Sequence, residues 1–86
     1  MVKLLLVDDA ELARDYLVAI LSEIGSGIEL TWRSDYASGL DALLHGGFDV
    51  CLLDYQLGVR SGMDLLREAK TLGVRLPIIK IGRAHV

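Results

Sequence analysis

The sequence has one cysteine, one proline and one tryptophan in 86 residues, and no apolar run long enough to cross a bilayer. A lone cysteine excludes an internal disulfide framework and fits a reducing, cytoplasmic setting. Uninterrupted aliphatic stretches such as Leu4–Val7 are far shorter than the roughly 20 residues a membrane helix needs. No secretory signal is visible either, because few apolar residues separate Lys3 from Asp8 and Asp9. Positive charge is scarce: nine Lys and Arg stand against twelve Asp and Glu, for a net charge of −3 and no basic run. That balance gives no footprint for nucleic acid. Repeats, linkers and low-complexity segments are also missing. What is present is apolar, 52% hydrophobic against 24% charged, which is too apolar for a disordered chain. A chain of this length is one domain at most, and buries only about 60% of its unfolded surface.

Two short runs, Leu4–Val7 and Val50–Leu53, are apolar without alternation, and an aspartate follows each. Runs of this kind predict strands buried on both faces of a parallel sheet. Ile28–Arg33 alternates, with Ile28, Leu30 and Trp32 against Glu29, Thr31 and Arg33, and predicts an edge strand with one wet face. Leu76–Ile81 predicts a fourth strand. Helical patterns fill the gaps. Leu12, Tyr16, Ile20 and Ile24 recur at i+4 with Leu17 and Leu21 beside them, between a cap at Asp9 and a stop at Gly25. Ser34 is placed to cap a second helix with Leu40, Leu43 and Leu44 inward, ended by Gly46 and Gly47. Ser61 is placed to cap a third with Leu65, Leu66 and Ala69 inward, ended by Gly73. The order β-α-β-α-β-α-β predicts right-handed crossovers and a doubly wound parallel sheet of the α/β class.

Parallel strands bring their carboxyl ends to one edge, where open α/β sheets bind ligands. If the strands ending at Asp8 and Asp54 are neighbours, they lie about 4.8 Å apart, and Asp8, Asp9 and Asp54 share one small site. Three carboxylates there repel and raise one another's pKa. A cation relieves that repulsion, and oxygen ligands with room for water favour Mg²⁺. Taken singly, Asp9 reads as a helix cap and Asp54 as a turn residue; the matched set of strand ends is what points to a site.

The segment KLLLVDDAE resembles the first strand and acidic pair of response-regulator receiver domains. FDVCLLDYQLGVRSGMDLLRE is similar to their third strand, phosphoacceptor, following loop and third helix, with Leu57 three residues and Gly62 eight residues after Asp54. LPII resembles the start of their fourth strand. The resemblance runs from Val2 to about Ile79. It implies a flavodoxin-like fold with strand order 2-1-3-4-5, of which residues 1–79 would form a partial domain lacking the last strand and the last two helices. It implies that Asp54 takes a phosphoryl group from a histidine kinase or a histidine phosphotransfer protein. Asp8, Asp9, Asp54 and the backbone carbonyl of Gln56 would hold Mg²⁺. Such a chain is a signalling switch and not an enzyme.

Three positions depart from the family pattern. Gly58 stands where the family often has proline. Counting from Pro77, the family's switch threonine or serine falls at Gly82, which has no hydroxyl. The family's lysine has no counterpart, and neither Lys80 nor Arg83 replaces it by position. The tail Lys80–Val86 is atypical. One back-translation, AAG ATC GGA AGA GCA CAC GTC, reads as the opening of a common short-read sequencing adapter, so that the natural sequence would end near Ile79 or Lys80; the other reading is an ordinary divergent terminus. A different codon string in the encoding DNA overturns the adapter reading.

Other polar and aromatic residues read as structural: Cys51 as a buried small hydrophobe, His45 as helix-end polarity, Trp32, Tyr16 and Tyr36 as packing. Gly25-Ser26-Gly27 follows a helix and matches no phosphate loop. Two other functions compete. A Mg²⁺-dependent hydrolase with an aspartyl nucleophile usually has a second acid two residues on, where this chain has Gln56. A phosphorylation-independent interaction module on the same fold is kept open by the absent hydroxyl and lysine.

Overall fold

Two apolar runs with no polar interruption become the two central strands of a parallel sheet. The computed structural model describes residues 1–25 and 27–82. Along the chain come β1 (Val2–Val7), α1 (Glu11–Ile24), β2 (Ile28–Arg33), α2 (Tyr36–His45) and β3 (Val50–Asp54). A short hairpin, β4 (Gln56–Leu57) and β5 (Arg60–Ser61), follows, then α3 (Gly62–Thr71) and β6 (Ile78–Ile81). The main sheet has the order β2-β1-β3-β6, all parallel. Counting only its four strands, that is the 2-1-3-4 order the resemblance implied. β2 is an edge strand as its alternation predicted, and the register sets Val7 beside Leu53.

One face of the sheet is well packed. Leu5, Val7, Cys51 and Leu53 point into a core completed by Tyr36, Ala42 and Leu43 of α2 and by Leu65 and Ala69 of α3. Burial pushes the Cys51 thiol up to about 12, as befits an inert core residue. Among the described residues the other face carries α1 alone, and no α1 residue is buried. The predicted stripe is displaced here. Ala13, Leu17 and Leu21 are partly buried, whereas Leu12, Tyr16, Ile20 and Ile24 are exposed. One residue turns a helix by about 100°, so a row shifted by one position is rotated off its direct seat on the sheet, and Tyr16 and Ile20 line an open cleft with Leu6, Leu52 and Ile81.

Helix ends also differ from the expectation. Asp9 does not cap α1: the cap residue is Ala10, without a side-chain bond, and Asp8 Oδ1 accepts the Ala10 N–H at 2.9 Å. The cap of α2 is Asp35, not Ser34, its carboxylate accepting from Ser38 N–H at 2.8 Å. A carboxylate is as good a cap as a hydroxyl, and geometry chooses between neighbours. Leu44 is exposed, because Ala42 and Leu43 take the inward positions of α2. Ser61 caps α3 as expected, Gly25 closes α1 and Gly46 closes α2. The cap at the end of α3 is Leu72, with Gly73 following at positive φ. Ser26 and Arg83–Val86, four of the seven tail residues, lie outside the described residues.

Two glycines shape the segment after β3. Gly58 has φ +65 at the first turn position of the β4–β5 hairpin, the place where two-residue hairpins demand a residue free of the Cβ penalty. Gly62 packs so tightly that a Cβ there would collide with the backbone carbonyl of Asp54. The chain can therefore fold back from the hairpin directly onto the end of β3, and Gly62 N–H donates to Tyr55 O at 2.7 Å.

Candidate functional site

Because β1 and β3 are paired and parallel, the residues that end them meet at the carboxyl edge of the sheet. Oxygen atoms of Asp8, Asp9 and Asp54 all lie within 4.8 Å of one another. The three differ in setting. Asp8 is the buried one, at 6% exposure, with Oδ1 taken by Ala10 N–H. Asp9 is exposed, and its Oδ2 accepts the N–H of Gly58 at 3.1 Å, tying the β1–α1 turn to the hairpin. Asp54 ends β3, half-buried. Its carboxyl is held above its ordinary value of 3.8, by burial first and by the Asp8 and Asp9 charges; the backbone N–H groups of Gln56 and Tyr55 pull the other way.

That shift has a consequence for stability. A carboxyl whose folded pKa exceeds its unfolded value favours the fold only while protonated, and the contribution is lost as pH rises through the folded pKa. Without a divalent cation, Asp54 therefore costs stability at neutral pH. The Asp54→Asn variant, in the full-length gene product, will melt above the parent at neutral pH, and the gap will narrow as pH falls toward the ordinary carboxyl range. Thermal melts at both pH values in chelator check this; a variant melting below the parent at neutral pH refutes it.

Gln56 lies two residues beyond Asp54 at the start of β4, its side-chain Nε2 donating to Gly58 O at 2.7 Å. Gly82 follows β6 directly beside the site, where an added Cβ would collide with the Asp54 carboxylate. The position named from the sequence for the missing hydroxyl is thus in contact with Asp54, and it is backbone only. Lys80 is exposed within β6, paired with Leu53. His45 closes α2 with Nδ1 3.1 Å from Asp41 Oδ1, far from this chemistry in role.

Two neighbours escaped the sequence reading. Trp32, read as packing, donates its indole N–H to the carbonyl oxygen of Asp8 at 2.8 Å, and the Arg14 guanidinium lies 4.6 Å over its ring. Tyr36, also read as packing, donates its hydroxyl to Glu68 Oε1 at 2.6 Å and carries the Arg60 guanidinium 3.4 Å above its ring. Neither signal is local: the partners are 18 or more residues apart, and periodicity cannot pair them.

Three hard oxygen donors with unrelieved mutual repulsion fit a small divalent cation, and Mg²⁺ in particular, which keeps several waters and takes few carboxylates. The fold and site together define a doubly wound, flavodoxin-like domain with a metal-capable acidic cluster at the switch between β1 and β3. Residues 4–85 match the response regulator receiver domain family, and the chain belongs to that family. It is 34% identical over 77 residues to the transcriptional regulatory protein DltR of Streptococcus agalactiae, covering 90% of this chain and 34% of that protein. It is 36% identical over 63 residues to the transcriptional regulatory protein LytR of Staphylococcus aureus, covering 73% of this chain and 26% of LytR. The chain thus spans about a quarter to a third of the length of these curated relatives. Among solved structures, a CheY-like receiver domain protein from Methanospirillum hungatei JF-1 superposes with a TM-score of 0.80 at 26% identity, over 100% of this chain and 68% of that one. The MaeR response regulator bound to beryllium trifluoride shares the fold, with a TM-score of 0.86 at 22% identity over 100% of this chain and 70% of that one.

Proposed function

We propose that this chain is a phosphoacceptor in a two-component phosphorelay, with Asp54 as the residue that carries the phosphoryl group. The observation that carries this reading is the convergence of Asp8, Asp9 and Asp54 within 4.8 Å at the carboxyl edge of the sheet. An Asp54 carboxylate oxygen attacks the phosphorus of a phosphohistidine; the P–N bond breaks, its electron pair leaves with the imidazole, and an acyl phosphate remains. The donor is a histidine kinase or a histidine phosphotransfer protein. Asp8, Asp9, Asp54 and the Gln56 backbone carbonyl would hold Mg²⁺. When bound, the ion would supply positive charge to neutralise phosphoryl oxygens. Asp8 and Asp9 would hold it from positions fixed by the Ala10 N–H on Asp8 and the Gly58 N–H on Asp9. Beryllium trifluoride, bound by MaeR, is a mimic of a phosphoryl group, and a receiver of the same fold that accepts it supports the reading.

The chain acts as a switch and not as an enzyme, since the group it receives stays on its own side chain. No helix among the described residues is long and apolar enough to cross a membrane, and a free, buried Cys51 suits the cytoplasm. The contact of Gly82 with Asp54 favours one second reading, a receiver whose output does not depend on a hydroxyl closing on the phosphate. The hydrolase alternative is weakened by Gln56, an amide where a second acid would be needed.

Acetyl phosphate with Mg²⁺ tests the proposal: a hydroxylamine-sensitive acyl phosphate is expected on the full-length gene product, and none forms if the phosphorylation-independent reading is right. Asp9→Ala is expected to weaken Mg²⁺ binding by about tenfold (~1.4 kcal/mol). An unchanged titration would reduce Asp9 to a hairpin tie.

A further inference from the structure

The segment that follows Asp54 is closed at its base by the Gly62 N–H bond to Tyr55 O, and its tip has little to hold it. The β4–β5 hairpin consists of two residue pairs, Gln56 with Ser61 and Leu57 with Arg60. A ribbon this small is marginal in water without external support. Val59 at its tip is 100% exposed. Yet this hairpin begins two residues after Asp54, contains Gln56, and supplies the Gly58 N–H that Asp9 accepts. It is therefore tied directly to one carboxylate of the acidic cluster.

Support comes from two sides. On the site side stand the Asp9 bond and the buried Leu57 side chain. On the other side stands Arg60. Its guanidinium carbon lies 3.4 Å from the centroid of the Tyr36 ring, which is van der Waals contact of two flat groups. Tyr36 is a rigid platform: it is the first residue of α2, only 6% exposed, and its hydroxyl is bonded to Glu68 of α3. A flexible, exposed arginine is thereby docked on a ring fixed by two helices.

We propose that Arg60 is a positioning residue for the phosphoacceptor site: stacked on Tyr36, it holds the β4–β5 hairpin, and with it the chain beside Asp54, in the metal-binding arrangement. The inference rests on the reading of Asp54, Asp8, Asp9 and Gln56 as a Mg²⁺ site. It separates from a plain charge effect by sign. Removing a cation from the neighbourhood of three carboxylates strengthens Mg²⁺ binding if charge is all that matters. Loosening the hairpin weakens it.

The test is calorimetric Mg²⁺ titration of the full-length gene product. Arg60→Ala, at an exposed position, is expected to raise the Mg²⁺ dissociation constant about two- to fivefold, the range an exposed cation–π contact supplies. In a Tyr36→Leu background, which removes the platform, the same Arg60→Ala step is expected to cause no further weakening. A dissociation constant unchanged or lowered by Arg60→Ala overturns the proposal, as does an equal loss in both backgrounds. Acetyl phosphate labelling of the unsubstituted protein is scored in parallel. Its failure removes the phosphoacceptor reading, whereas the Mg²⁺ titrations decide Arg60 by themselves.

Discussion

Asp54→Asn will leave the full-length gene product without acyl phosphate, with labelling by acetyl phosphate falling to background. The amide presents no anionic oxygen to phosphorus, and its nitrogen lone pair is delocalised, so the nucleophile is lost while the shape is kept. Nor can a neighbour take over. Asp8 is buried with Oδ1 on the Ala10 N–H, and Asp9 is held through Oδ2 to the Gly58 N–H, which leaves each a second oxygen for the proposed ion. Of the three, Asp54 is the one that is itself the last residue of a strand, half-buried at the centre of the sheet's carboxyl edge. Intact-mass analysis and peptide mapping after borohydride trapping read the result. Labelling equal to the parent would move the acceptor to another residue and sink the assignment.

The 86-residue chain expressed alone will aggregate, or will unfold without a cooperative transition. The packed face of the sheet is complete, but the face under α1 is not. Leu12 is 81% exposed, Tyr16 69%, Ile24 65% and Val18 50%. Between α1 and the sheet lies an apolar cleft of about 270 Å³ lined by Leu6, Tyr16, Leu17, Ile20, Leu52 and Ile81. Each large apolar side chain left in water forfeits roughly 1.5–3 kcal/mol, against a total stability for a domain of only about 5–15 kcal/mol. Four such residues are enough to erase the margin. β6 adds a second hazard: among the described residues it ends the sheet order with one ladder side unpaired, and Ile79 is 52% exposed, the profile of an edge open to pairing with another chain. Size-exclusion chromatography and a thermal scan decide the matter. A monomeric mass with a sharp, reversible melt would show that the α1 flank is less costly than these exposures imply.

The architecture and the acidic site were legible because both are written in short-range signals. Apolar runs that stop at Asp8 and at Asp54 state where strands end, and parallel geometry then brings those ends together. Ser61 announced α3 because its hydroxyl and the helix it caps are three residues apart. Where two adequate caps adjoin, as Ser34 and Asp35 do, sequence alone does not choose, since the choice depends on the angle at which β2 delivers the chain. The α1 stripe failed for a related reason. Periodicity finds an apolar face, but which part of it meets the sheet depends on what else packs on that side. The hairpin after Asp54 was read as loop because its strands are two residues long. Arg60 was passed over because a lone arginine beside a glycine turn carries no sign of the tyrosine 24 positions earlier on which it stacks.

The indole of Trp32 hydrogen-bonds to the carbonyl of Asp8, and this chain contains one tryptophan. All of the chain's indole emission therefore originates on β2 against the turn bearing Asp8 and Asp9, with the Arg14 guanidinium over the ring. The domain carries its own optical probe, seated one backbone carbonyl away from the carboxylates whose occupancy matters.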